Sequence, residues 1–146
     1  MNKTRRHAFK IILILLCFCP MLPFYAGGKE MVRQELSDAE KAAITNVSAS
    51  KADGMFNAGS VIFLDVREPA EYSQGHIPGA INIPMRQVEQ QIAQSALDKN
   101  TPILIYCRSG RRSSIVTATL IKKGYTHLMN LDGGIKAWSK AGYPVE

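Results

Sequence analysis

From residue 44 onward, apolar runs alternate with stretches whose apolar positions recur at helical spacing. Residues 61–66 and 102–106 are almost continuously apolar, the pattern of strands covered on both faces. Shorter strands are predicted at 44–47, 80–84 and 127–131. Between them lie predicted helices at 50–57, closed near Gly59, and at 88–97, where Val88, Ile92, Ala93 and Ala96 share a face. A single helical turn is expected at 69–73, and longer helices at 113–123, ending at Gly124, and at 135–141, stopping at Gly142. Strands alternating with helices in this order predict an α/β domain, a mostly parallel sheet with helices on both faces. Upstream, Ser37-Asp38-Ala39-Glu40 has the form of a capping box that starts a short helix.

The first 28 residues follow a different pattern. Lys3, Arg5, Arg6 and Lys10 precede an apolar segment at 11–19, followed by Pro20, Pro23 and the small residues Ala26-Gly27-Gly28. This order predicts a secretory signal peptide cleaved near Gly28, and hence an exported, periplasmic protein. The apolar segment is too short, and too soon broken by proline, to make a good membrane span, so no stable span is expected after processing. The predicted organisation is residues 1–28 as leader, 29–43 as an N-terminal extension and 44–146 as one domain.

Removing the leader changes the charge. The whole chain carries 18 basic and 12 acidic residues, a net of +6. Four of the cations lie in the leader, so the remainder is close to +2 and gives no argument for nucleic-acid binding. Of three cysteines, Cys17 and Cys19 also leave with the leader, and only Cys107 remains. Exported proteins usually pair their cysteines, so a solitary one points to chemistry.

Cys107 stands directly after the apolar segment 102–106, at the carboxyl end of a strand, where open α/β sheets place their ligands. It opens the run Cys107-Arg108-Ser109-Gly110-Arg111-Arg112-Ser113, which leads into a helix whose N-terminus faces the sulfur. Neighbouring cations and a helix N-terminus lower a thiol's pKa, so a reactive thiolate is favoured over a small buried hydrophobe. Arg112 and Arg108, then Arg111, are the candidates for holding an anionic substrate. Gly110 permits a turn that aims successive N–H groups inward, while Ser109 and Ser113 offer hydroxyl donors or helix caps. Asp65 and Arg67, at the end of another strand, read as a buried or semi-buried ion pair holding neighbouring loops rather than as catalytic groups. His76 reads as a hydrogen-bonded turn residue, and Trp138, three residues beyond Ile135, as core. The cysteine and histidine spacing fits no metal site, and neither a Walker pattern nor a dinucleotide fingerprint occurs, so no cofactor is expected.

Several segments together resemble the rhodanese-like sulfurtransferases, in particular the small single-domain exported members. They are Asp65-Val66-Arg67-Glu68 with Glu71-Tyr72, the run from Gly75 to Pro84, the loop from Cys107 to Arg112, and Leu131-Asp132-Gly133-Gly134-Ile135 with Trp138. The resemblance implies a three-layer α/β/α domain on a five-stranded sheet in the order 1-5-4-2-3. It further implies that Cys107 takes a sulfane sulfur from a small anionic donor such as thiosulfate, forms a persulfide and passes the sulfur to a thiophilic acceptor such as cyanide. Two other readings stay open: a persulfide carrier or sensor module serving a protein partner, and a cysteine phosphatase or arsenate reductase. The latter needs five residues between cysteine and arginine, whereas here Ser113 occupies that arginine's position and Arg112 comes one residue earlier.

Overall fold

A computed structural model of the chain describes residues 36–146, so the predicted leader and residues 29–35 lie outside the described part. The described elements are α1 (Asp38–Ala43), β1 (Thr45–Val47), α2 (Ala49–Asn57), β2 (Ile62–Asp65), α3 (Pro69–Tyr72) and β3 (Ile81–Asn82). A 3-10 turn at Met85–Gln87 leads to α4 (Val88–Gln94), β4 (Ile103–Tyr106), α5 (Arg111–Lys122), β5 (Leu128–Leu131) and α6 (Gly134–Lys140). The five strands form one sheet in the order β1-β5-β4-β2-β3, and every pairing is parallel.

Strand β4 is central because all four of its residues are apolar and buried. Its alternation divides the core in two. Ile103 and Ile105 face one layer with Val88, Ile92, Val116 and Leu120, and Cys107 continues that side. Leu104 and Tyr106 face the opposite layer with Phe63, Leu131, Ile135 and Trp138. Helices α4 and α5 therefore cover one face, and α2 and α6 the other. Trp138 is fully buried, packs edge-on against Phe56 and Phe63, and donates its indole N–H to the Pro144 carbonyl at 2.8 Å.

Element boundaries differ from the sequence expectation by one to three residues, most at two helix ends and at β3, which spans Ile81–Asn82 against the expected 80–84. Helix α5 starts at Arg111, two residues before the expected 113, because Gly110 adopts a left-handed φ of 91° and serves as its N-cap. Arg111 and Arg112, expected in the loop, thus lie in the helix's first turn. Helix α4 stops at Gln94 instead of 97, where Ala96 turns to a φ of 50°.

The capping box at Ser37 is formed, with the Glu40 N–H donating to Ser37 Oγ and the Ser37 N–H donating to the Glu40 carboxylate at 2.8 Å. Helix α1 leans on α5, through Leu36 against the core and an ion pair between Glu40 and Lys122.

Candidate active site

All strands run in one direction, so β2, β4 and β5 deliver Arg67, Cys107 and Asp132 to a common edge of the sheet. Cys107 begins a loop of three further residues, Arg108, Ser109 and Gly110, before α5. Its side chain is buried, with the residue 1 % exposed. The Gly110 N–H donates to its Sγ at 3.2 Å, and the Ser113 hydroxyl lies 3.5 Å from the same sulfur. That hydroxyl also lies 3.1 Å from the Gly110 carbonyl, so its one proton can serve either acceptor.

The loop's inward N–H groups have a mechanical cause in α6. The N–H groups of Ile135 and Lys136 take the carbonyls of Cys107 and Arg108 at 2.9 and 3.3 Å, turning those carbonyls away from the sulfur. This close approach needs glycine at 134: a Cβ there would sit 2.4 Å from the Cys107 carbonyl oxygen and 2.7 Å from the Ser109 nitrogen.

Two opposing influences act on the thiol. Burial pushes its pKa up, while the Ser113 hydroxyl and the backbone N–H groups of Ser113, Ser109 and Gly110 pull it down. The donors win, and the thiol is held below its ordinary range, so the thiolate is the favoured form closer to neutrality.

The arginines have separate positions. Arg112 donates from Nη1 and Nη2 to the two carboxylate oxygens of Glu71 at 2.6 and 2.7 Å. Those hydrogen bonds raise the Arg112 pKa; burial opposes them, and the Glu71 charge and the adjacent Cys107 sulfur add to the rise. Arg112 is thus a neighbour of the nucleophile whose fork is already occupied. Arg108 and Arg111 are both exposed at the loop and at the first residue of α5. Ser109 is exposed, and Gly110 is buried beneath the loop, 3.3 Å from the Leu131 carbonyl at its would-be Cβ.

Asp65 and Arg67 form a buried pair with Nη2 to Oδ2 at 2.6 Å. Arg67 also donates to the carbonyls of Glu71 and Gly75 at 3.0 and 2.8 Å. Burial alone would lower its pKa, but hydrogen bonding to Asp65 and that carboxylate's charge raise it, so Arg67 stays cationic. The pair does not touch the thiol. It ties the 67–75 segment to the end of β2, and that segment carries Glu71 to Arg112. Asn82 completes the tie, donating to the carbonyls of Asp65 and Arg67 at 3.0 and 2.9 Å.

Glu71 is the site residue that sequence reasoning passed over. Its sequence signal was a carboxylate in a one-turn helix following Arg67, within a segment used only for resemblance. His76 is engaged elsewhere, with Nδ1 3.1 Å from the Tyr72 carbonyl and Nε2 3.3 Å from Glu146. Among the described residues, no group of three His, Cys, Asp or Glu side chains converges as a metal site. No helix among them is long and apolar enough to cross a membrane.

The profile of the rhodanese-like domain matches residues 48–141. The chain belongs to the rhodanese-like family. It is 40% identical over 98 residues to a sulfurtransferase of Allochromatium vinosum, a match covering 67% of this chain and 90% of that one. It is 45% identical over 74 residues to the thiosulfate sulfurtransferase PspE of Escherichia coli, covering 51% of this chain and 70% of the relative. Among solved structures, a Rhodopseudomonas palustris protein of unknown function, named a possible tyrosine phosphatase, superposes with a TM-score of 0.67 at 25% identity, covering 77% of this chain and 98% of that one. The five-stranded parallel sheet with helices on both faces is the rhodanese-like three-layer arrangement. Both of these sequence relatives are named sulfurtransferases.

Proposed function

We propose that Cys107 takes a sulfane sulfur from a small anionic donor of the thiosulfate type, holds it as a persulfide, and passes it to a thiophilic acceptor such as cyanide. The observation that carries this reading is the lowered-pKa sulfur at the base of a loop whose Gly110 N–H and Ser113 hydroxyl are aimed at it. The thiolate attacks the outer sulfur of thiosulfate, a sulfur–sulfur bond forms, and sulfite leaves with the electron pair of the broken bond. Two displacements on one covalent intermediate predict ping-pong kinetics. Donors fixed around the sulfur stabilise charge where it develops and require no rearrangement during the step. The name of the E. coli relative, a thiosulfate sulfurtransferase, supports this donor class.

The phosphatase reading, which the name of the R. palustris neighbour raises, is disfavoured by two features. The loop places its arginine one residue too early to enclose a tetrahedral phosphate, and the Arg112 fork is spent on Glu71. A sulfur-carrier role would use the same loaded Cys107 with a protein as acceptor. The basic and apolar leader supports action after export to the periplasm, with cleavage near Gly28.

Mass spectrometry of the protein after incubation with thiosulfate tests the reading. One sulfur atom gained on Cys107 and lost again on adding cyanide is the expected result. No gain at all would overturn it.

A further inference from the structure

A cleft of about 470 Å³ opens between α1, the start of α5 and the ends of β1 and β5. Ser109 and Gly110 form part of its wall, but Cys107 does not line it, so it is a site apart from the reacting sulfur. Its floor is polar where a covered sheet face is ordinarily apolar. The parallel register sets Asn130 beside Ile105 of β4 on one side and beside Asn46 of β1 on the other, so both asparagines face the layer that α5 covers. Asn130 is 4 % exposed and donates its Nδ2 to Asn46 Oδ1 at 2.7 Å. Its own Oδ1 is buried and has no hydrogen-bond partner among the described residues. A buried acceptor without a donor is costly, and this floor is short of one donor.

The charges around that floor are sorted by wall. Asp132, directly after β5, is exposed and has no ion-pair partner among the described residues. Lys41 of α1 and Arg111 of α5 bring positive charge to the helical walls, Lys41 sharing its ammonium with the exposed Asp38 at 3.2 Å. Leu36, Ile44 and Ile115 supply apolar surface, and the volume lies in the range of small-molecule sites. Acceptors on the β5 side and cations on the helices match a molecule with a cationic donor at one end and an anion at the other. We propose that this cleft binds a small zwitterion of the free apolar amino acid class, its ammonium directed to Asp132 and Asn130 Oδ1 and its carboxylate to Lys41 and Arg111. A plain anion would leave both acceptors without a donor, and a plain amine would face two cations. The cleft backs onto Ser109 and Gly110, whose N–H groups help to hold the thiolate, so occupancy can be read at the loop.

The test is calorimetric titration of the purified protein with L-leucine, N-acetyl-L-leucine and L-leucinamide, which carry both charges, the carboxylate alone and the ammonium alone. Leucine should bind saturably, and each blocked form about two- to fivefold more weakly, the scale of one exposed charge contact. High salt should compress these differences. Asp132 is exposed, so Asp132→Asn should fold as the wild type does. It should weaken leucine by a similar factor and leave N-acetyl-L-leucine unchanged. In amide NMR spectra, leucine should move the backbone signals of Ser109 and Gly110 and the side-chain amide of Asn130, and leave those of Lys122 and Lys123 at the far end of α5 in place. No saturable leucine binding, equal affinities for the three compounds, or shifts confined to other parts of the chain would overturn the proposal. None of these readouts involves sulfur transfer, so the persulfide reading stands or falls separately.

Discussion

Glu71 chelates Arg112 across 41 residues of sequence, each guanidinium Nη meeting one carboxylate oxygen at 2.6 and 2.7 Å. Paired parallel hydrogen bonds of this kind fix orientation as well as charge. The carboxylate therefore decides how much positive potential Arg112 presents to Cys107. Glu71 is itself held by Arg67, which bonds its carbonyl and is anchored by Asp65. A change at the end of β2 is in this way transmitted to the loop without touching the thiol.

Removing the Glu71 charge should free the Arg112 fork. Glu71→Gln is expected to move the pH profile of Cys107 alkylation by iodoacetamide toward acid, since a negative charge near the thiolate is lost. Inorganic sulfate should inhibit the variant several-fold more strongly than the wild type. An unchanged alkylation profile and unchanged sulfate inhibition would show that Arg112 exerts no electrostatic control over the sulfur.

The same pair predicts an acid-side stability effect. Hydrogen bonding from Arg112 holds the Glu71 carboxyl below its ordinary value of 4.5, with burial opposing and the Glu68 N–H and the Arg112 charge assisting. A depressed folded-state pKa contributes stability that is fully present above the unfolded value and is lost as pH falls through the folded one. The stability difference between wild type and Glu71→Gln should therefore be constant near neutrality and shrink below about pH 4.5. Urea denaturation at a series of pH values measures it, and a difference that grows in acid contradicts the assignment.

What the chain's pattern made legible was governed by local chemistry. The apolar run at 102–106 revealed β4, and a cysteine followed by arginines and Gly110 revealed the loop. The start of α5 was misplaced by two residues because Arg111 and Arg112 have no capping chemistry of their own. The cap is Gly110, at a left-handed φ of 91° where a Cβ would sit 3.3 Å from the Leu131 carbonyl oxygen and 3.4 Å from the Gly133 nitrogen. Nor does spacing reveal that Glu71 spends the Arg112 fork, or that Lys136 shares a cleft with Arg108. Those relationships depend on the parallel sheet gathering distant strand ends at one edge.

Gly134 tests the mechanical origin of the inward N–H groups. Gly134→Ala drives a methyl toward the Cys107 carbonyl and the Ser109 nitrogen at a φ of 58°. Left-handed strain and overpacking together should lower unfolding free energy by about 2–5 kcal/mol. Gly142→Ala, with a φ of 81° but open space around its Cβ, should cost only the conformational part, about 1–2 kcal/mol. Denaturation curves separate the two, and the alkylation rate at neutral pH should fall only in the first. Equal losses in both variants would mean that the loop yields freely.

Cys107→Ser should abolish sulfur loading and thiosulfate:cyanide turnover, because the only other cysteines, Cys17 and Cys19, lie in the predicted leader. The swap is nearly isosteric in a pocket that already presents donors to the side-chain atom, so the melting temperature should move by only a few degrees. Retained turnover in mature protein would sink the nucleophile assignment.

Ser113 separates the side-chain contribution to thiol activation from that of the backbone. Burial acts to raise the Cys107 pKa, and the Ser113 hydroxyl is the largest of the influences that lower it, followed by N–H groups that a substitution at 113 leaves in place. Ser113→Ala should therefore shift the alkylation profile toward alkaline pH but not to the value of an unassisted buried thiol. The Gly110 carbonyl keeps its helical partner, the Ser114 N–H at 3.0 Å, so the change orphans no acceptor. Ser113→Thr supplies a hydroxyl again and should recover part of the acid shift, which a purely structural role for Ser113 would not require. With thiolate supply reduced, kcat/KM for thiosulfate should fall at neutral pH and recover as pH rises. A Ser113→Ala profile that coincides with the wild type would place the whole of the activation in the backbone N–H groups that α6 holds inward.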